Sequence, residues 1–288
     1  MRLSCIRYPG SKSRISDIIF GKLAKFSNND YIIGYAEPFF GGGTVGIQFL
    51  SMFSDCGLED VKITDVCIND IDIGISALWT SIIRYPELLK QHIRAFSPSI
   101  VAFDSFKESL LSQKCYYDNE HSIVSLGFRK LAIHQLSYSG LGTKSGGPLG
   151  GRKQSSGYEI GCRWYADSTC NRVDRLHNLF KNFNISNKEC SRVDFSSIVD
   201  NLSDKWVLYC DPPYYVKGQE LYQYYFTDND HIRLSECLKK THSKWLLSYD
   251  DCTEIRDLYS WAKVEELKVQ YSVAGITEKK ELLICAKK

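Results

Sequence analysis

The chain has 288 residues, 43% of them hydrophobic and 24% charged, with a formal net charge of +2. That length and balance suit a globular fold with one substantial core and a smaller satellite lobe, and they exclude a protein coated in basic residues. No apolar run reaches the roughly 18 residues a membrane span needs, and Met1-Arg2-Leu3-Ser4-Cys5-Ile6-Arg7 lacks a secretory apolar region, so the expected location is the cytoplasm. The eleven cysteines are odd in number, irregular in spacing and without a C-x-x-C pair. Cys67, Cys210 and Cys285 sit in apolar strand-like runs, where a thiol acts as a small buried hydrophobe. Neither a disulfide framework nor a metal site is expected.

The chain opens with Arg7-Tyr8-Pro9-Gly10-Ser11-Lys12, in which Tyr8 and Lys12 flank a turn. This stretch can clamp a ring and a carboxylate, or be an ordinary turn with a solvated lysine. A β-rich run at 31–36 leads into Glu37-Pro38-Phe39-Phe40-Gly41-Gly42-Gly43, and a helix is predicted from Thr44 to Phe53. Glycines between a strand and a helix let the backbone approach a ligand, and the helix start supplies free N–H groups. The spacing is not that of the dinucleotide fingerprint. A second strand, 61–68, ends at Asn69-Asp70 before a helix at 73–83. An acid there reaches ribose hydroxyls in a nucleotide-type α/β fold, or caps the following helix.

The middle of the chain breaks this strand–helix rhythm. Helices are predicted at 103–111 and 122–136, and eight of the twenty glycines then fall between Gly140 and Gly161. Such a loop is functional or disordered. From Leu126 to Asn182 nine Lys or Arg stand against three acids, a local field that attracts a polyanion. The rhythm resumes with a strand at 206–210, a helix at 230–240 and strands at 245–249, 264–273 and 282–286, the last two read as an antiparallel pair at the sheet edge. Strands alternating with helices imply a parallel sheet, here interrupted by an inserted lobe over 88–183.

Directly after the 206–210 strand comes Asp211-Pro212-Pro213-Tyr214-Tyr215. Ligands of open α/β sheets bind beyond strand carboxyl ends, and paired prolines cannot extend a helix or ladder. A carboxylate and a carbonyl on a stiff rim are acceptors suited to an amine with two hydrogens, and the adjacent ring can stack on a base. A plain turn accounts for the same residues.

In this order, the four motifs resemble the Dam-type, alpha-group DNA adenine N(6)-methyltransferases. Tyr8 to Lys12 is similar to that family's N-terminal cofactor motif, Glu37 to Gly43 to its glycine-rich motif, Asn69-Asp70 to its ribose-binding acid and Asp211 to Tyr214 to its catalytic motif. Val193-Asp194-Phe195, Phe226 with Asp230-His231, and Glu281 to Ile284 are further similarities. The resemblance implies a class I S-adenosylmethionine-dependent methyltransferase fold, a Rossmann-like α/β sheet, mostly parallel with an antiparallel edge. Its catalytic domain would span 1–87 and 184–288, with a helical target-recognition insertion at 88–183. It implies S-adenosyl-L-methionine as cofactor, held by Tyr8, Lys12, Glu37, Phe39, Gly41, Gly43, Asp70, Asp194 and Asp211. Asp211, Pro212, Pro213 and Tyr214 would act on an adenine flipped out of double-stranded DNA. A cognate restriction endonuclease is the implied companion, with no membrane and no metal.

Gln135-Leu136-Ser137-Tyr138-Ser139-Gly140-Leu141 resembles the family segment that enters DNA. Gln135, Tyr138, Ser139, Lys144, Arg152 and Lys153 are therefore the expected DNA contacts. Three departures stand out. Ser11 replaces the usual second glycine, Ser139 an asparagine and Gln135 an arginine, so the resemblance carries over the chemistry and not the GATC target. Two rival readings are an RNA adenine methyltransferase, since the Asp-Pro-Pro-Tyr rim reads an amine and not a polymer, and a catalytically silent DNA-binding module.

Overall fold

The computed structural model describes residues 4–10, 12–27, 32–55, 63–112, 117–155, 157–272 and 276–287. Ser11, the leading residues of the runs expected at 31 and 61, and Val273 lie outside them. Seven strands form one sheet: β1 (Gly34–Glu37), β2 (Asp65–Ile68), β3 (Asn184–Ile185), β4 (Trp206–Cys210), β5 (Lys244–Asp250), β6 (Lys263–Ser272) and β7 (Ile276–Cys285). Their order is β3-β2-β1-β4-β5-β7-β6. The first five strands pair in parallel, whereas β7 runs antiparallel between β5 and β6. The helices are α1 (Ser16–Ser27), α2 (Thr44–Asp55), α3 (Ile73–Arg84), α4 (Pro86–Ala95), α5 (Ile100–Leu111), α6 (Glu120–Leu136), α7 (Ala166–Phe180), α8 (Phe195–Val199), α9 (Gly218–Leu221), α10 (Asp228–Lys240) and α11 (Thr253–Leu258).

The central strands are apolar on both faces, as a sheet covered on both sides requires. Tyr35, Val207, Tyr209 and Leu246 enter one core, with Ile19 and Leu23 of α1, Phe49 and Leu50 of α2, and Leu78 and Trp79 of α3. Their neighbours Ala36, Leu208, Cys210, Trp245 and Leu247 enter the other, under Phe195 and Ile198 of α8 and Leu234 and Leu238 of α10. The period of two sorts successive residues to opposite faces. Helix starts are set by short polar side chains. Asp72 accepts from the N–H groups of Gly74 and Ile75 at the start of α3, and Asn119/Ser122 and Thr227/Asp230 form capping boxes on α6 and α10.

The segment expected to be an inserted lobe is fused to this core. Leu89 and Ile93 of α4, Val124 and Phe128 of α6, and Val173 and Leu176 of α7 belong to the same apolar cluster as the sheet. A smaller cluster joins Phe103 and Leu110 of α5 to Ile133 and Leu136 of α6. The glycine-rich stretch is a compact chain of turns: 138–140 and 142–144 form 3-10 turns, and Ser137 bridges Pro148. His134, buried, bonds through Nδ1 to the Gly140 carbonyl at 2.8 Å. Burial, then the Lys130 charge, push its pKa down to about 3, so a neutral imidazole anchors the turn. Among the described residues no helix is long and apolar enough to cross a membrane, and no group of three His, Cys, Asp or Glu is placed to hold a metal ion.

Candidate active site

Strand order reverses between β1 and β4, and parallel pairing brings the carboxyl ends of β1, β2 and β4 to one edge. A crevice at such a switch point is where open α/β sheets bind ligands. A cavity of about 400 Å³ opens there, within the range of small-ligand sites. Tyr8, Lys12, Glu37, Phe39, Gly41, Gly43, Asp70, Asp194, Asp211 and Pro213 all line it. Residues 203 positions apart in sequence, Tyr8 and Asp211, thus line one cavity, Asp211 from the end of β4 and Tyr8 from the segment before α1.

The β1 turn is shaped by its glycines. Gly41 and Gly43 have φ of +47° and +66°, and a Cβ on Gly41 would lie 2.7 Å from the Tyr8 ring. The Gly41 carbonyl accepts from the Trp79 indole at 2.9 Å, while its N–H donates to Asp70 Oδ2 at 2.8 Å. Asp70 Oδ1 accepts from the Asp72 N–H at 2.9 Å. The cap of α3 is thus Asp72, not Asp70, which leaves Asp70 as a site carboxylate only 8% exposed. Burial, with the Asp72 charge adding to it, raises the Asp70 pKa to about 7. Asn69 is a clip: its side chain donates to the Pro38 and Val193 carbonyls and accepts from the Val193 N–H. A Cβ on Gly43 would lie 2.8–2.9 Å from the Phe40 and Trp79 rings. Gly43→Ala is therefore expected to cost about 1–3 kcal/mol, read as a lower Tm in thermal unfolding.

At the end of β4, Asp211 Oδ1 accepts from Lys12 Nζ at 2.5 Å and from Ser248 Oγ at 2.9 Å. Oδ2 takes neither bond. Lys12 is 3% exposed, and its Nζ also donates to the Tyr214 hydroxyl at 2.9 Å. Burial works against the ammonium, but Asp211, Tyr214 and Glu281 together hold its pKa well above the usual value. Burial raises the Asp211 carboxyl, and Lys12 opposes that rise. Pro212 is buried and Pro213 half-buried. The Tyr214 hydroxyl donates in turn to Glu281 at 3.1 Å, and neither Tyr214 nor Pro212 is among the described lining residues.

Glu37 is 2% exposed and accepts from the Tyr35 hydroxyl at 2.7 Å. Burial pushes its carboxyl well up, against the Tyr35 hydrogen bond. Asp194 caps α8 through the Ser196 N–H and pairs with Arg233 at 2.6 Å. Phe39 packs with Phe195 and Phe226, ring centroids 5.5–5.7 Å away, into an aromatic wall.

Of the residues expected on DNA, Tyr138 is 67% exposed, and Ser139 is exposed with φ of +61°. Gln135 is buried and donates to the Cys5 carbonyl at 3.1 Å. Lys144 Nζ donates to the Gln219 carbonyl at 2.9 Å, Arg152 forms a two-bond pair with Asp104, and Lys153 is exposed.

The sequence reading passed over Tyr222, Gln223, Tyr224 and Tyr225, which line the cavity beside Phe226. Four aromatics in five residues just beyond Asp211 were the available signal. Gln223 accepts from the Thr143 hydroxyl at 3.0 Å and donates to the Leu110 carbonyl at 3.0 Å. This aromatic strap is thereby tied to the glycine-rich turns.

No curated protein matches the chain. Among solved structures, the rRNA methyltransferase aviRa from Streptomyces viridochromogenes is similar over 96% of this chain and 86% of that one, with 11% identity and a TM-score of 0.41. A second structure of it gives the same coverage, 13% identity and a TM-score of 0.39. The fold is a class I methyltransferase fold, a seven-stranded, mostly parallel sheet with an antiparallel edge. The family model of the D12 class N6 adenine-specific DNA methyltransferases matches residues 8–273, and the chain belongs to that family.

Proposed function

We propose that the chain transfers a methyl group from S-adenosyl-L-methionine to the exocyclic N(6) amine of an adenine flipped out of duplex DNA, in the manner of the Dam-type alpha group. The observation that carries this reading is one cavity joining the β1 glycine turn and Asp70 to Asp211 at the end of β4. Its chemistry fits the cofactor. The wall of Phe39, Phe195 and Phe226 suits an adenine, Asp70 suits ribose hydroxyls, and the glycine turn lets backbone approach closely. When bound, the cofactor supplies an electrophilic methyl group.

The chain's own residues do the rest. Asp211, which lines the cavity, accepts one N–H of the target amine and orients its lone pair; the resemblance to the family's catalytic motif assigns the second N–H to the Pro212 carbonyl. Such positioning is worth several kcal/mol of barrier. Lys12 and Ser248 fix the carboxylate by bonding Oδ1, so Oδ2 serves the amine. Removing the adenine from the stack costs a few kcal/mol, and stacking on Tyr222 or Tyr225, which line the same cavity as Asp211, would repay it. The exposure of Tyr138 and Lys153 in the 88–183 segment supports reading that segment as the target-recognition part. Transfer of label from the methyl-labelled cofactor to adenine in methylation-free duplex DNA tests the reading, and labelled RNA with unlabelled DNA would refute it.

Asp70 gives this proposal a pH signature. A charge-assisted hydrogen bond to ribose is worth about 1.5–3 kcal/mol, so Asp70→Ala is expected to weaken cofactor binding roughly ten- to a hundred-fold. The ionised carboxylate is the accepting form, and its pKa is about 7. Affinity is therefore expected to rise with pH through about 7, with proton release on binding, and Asp70→Asn to flatten that rise. The same shift makes folding stability fall as pH rises from 3.8 through about 7, because the folded state binds the proton more tightly than the unfolded chain. Calorimetry across pH in two buffers decides; a pH-independent constant would mean that Asp70 does not touch the ligand.

A further inference from the structure

Beside the active site lies a second, open cleft of about 790 Å³, lined by Arg7, Arg163, Arg172 and Arg175 with Gln135 and Tyr165. We propose that this arginine cleft is a docking surface for the sugar–phosphate backbone of the duplex flanking the target base, an inference that rests on the DNA reading above. Four guanidiniums line it, and no carboxylate does among the described residues. Asp174 of α7 is committed elsewhere, to Lys90 of α4 at 2.5 Å. Arg172 donates to the neutral Ser168 hydroxyl at 3.1 Å, which keeps its charge uncompensated by that bond. Guanidinium forks match phosphate oxygens, and an exposed ring among them, Tyr165 at 65%, suits a sugar or base face.

The shape favours a polymer over a small anion. Ser168, Arg172 and Arg175 recur on one face of α7 at helical spacing, over roughly 10 Å at ~1.5 Å per residue. That length is about three base-pair steps along a duplex axis at ~3.4 Å rise. Position favours the strand that enters the active site. Arg7 adjoins Tyr8, which lines the catalytic cavity. A Cβ on Gly140 would lie 3.2 Å from Arg7 Cβ, so the turn carrying the exposed Tyr138 sits against the cleft. Lys144 and Arg152, expected on phosphates, hold the Gln219 carbonyl and Asp104.

The test compares the parent chain with the triple variants R163A/R172A/R175A and R163K/R172K/R175K, titrated with a fluorescent duplex DNA of random sequence over a salt series. Each lost phosphate contact lowers the slope of log affinity against log salt by about 0.9. The alanine variant is expected to lose about two to three units of slope and on the order of 10–100-fold in affinity at moderate salt. The lysine variant, which keeps the charge, should retain most of the slope. Affinity for S-adenosylhomocysteine and the Tm should stay at parental values in both. Parental slope and affinity in the alanine variant would overturn the cleft, and the same arginine dependence on an RNA duplex would overturn DNA as its occupant. Methyl transfer by the parent to DNA adenine is scored separately. Its absence refutes the proposed activity, while the salt slope alone decides the cleft.

Discussion

Asp211→Ala is expected to abolish methyl transfer, and Asp211→Asn to leave a trace. The carboxylate stands at the end of β4 with Oδ1 fixed by Lys12 and Ser248. An amide keeps one accepting oxygen and the packing, but it loses the charge that the Lys12 ammonium faces. Removing a single preorganised partner of a transition state costs on the order of 10²–10³-fold in turnover, and loss of the Lys12 partner adds to that in the alanine variant. Single-turnover transfer of labelled methyl to duplex DNA measures the effect, with cofactor affinity and Tm recorded to separate chemistry from folding. The accepting form is the ionised one, and burial raises its pKa. Activity is therefore expected to fail on acidification at a higher pH than a free aspartate would dictate. Near-parental turnover by the alanine variant would remove Asp211 from the mechanism.

A large loss of stability is expected from Lys130→Met. Lys130 of α6 is 3% exposed, and its Nζ pairs with Asp72 Oδ2 at 2.5 Å; Asp72 itself is 6% exposed. The other Asp72 oxygen caps α3, so the pair joins the capped start of α3 to α6 just behind Asp70. A buried charge left without its partner costs about 3–5 kcal/mol, roughly 6–20 °C in Tm for a chain of this size at ~2–4 °C per kcal/mol. Replacing both partners is much less costly. Asp72→Asn/Lys130→Met should therefore melt closer to the parent than Lys130→Met alone, since asparagine still caps the helix. If the double variant melts no higher than the single one, the unpaired Asp72 charge is not the source of the loss.

The sequence by itself determined the chemistry of the strand ends. Glu37 to Gly43, Asn69-Asp70 and Asp211 to Tyr214 each follow a β-rich run. Strand and helix periods are local properties, so the parallel sheet and its antiparallel edge were legible in the patterning. Elements with weak local signals were not. β3 is two residues long, and α7 shows only a narrow apolar stripe of Cys170, Val173, Leu176 and Phe180 on a polar helix, so packing against α3 and α4 makes it a helix.

Only the tertiary structure decided what each polar group faces. Asp70 and Asp72 are equivalent as helix caps in sequence, and backbone geometry gives the cap to Asp72 and leaves Asp70 outside it. Lys12, expected from the resemblance to hold the cofactor, is brought by the fold to pair with Asp211. The basic window of 126–182 was legible as net charge, whereas the partners of its individual cations were not. Partner choice is set by long-range contacts, which tie Arg152 to Asp104 and Lys144 to Gln219 and bring Arg163, Arg172 and Arg175 together with Arg7. Charge composition is additive along a chain, whereas pairing depends on distance in three dimensions.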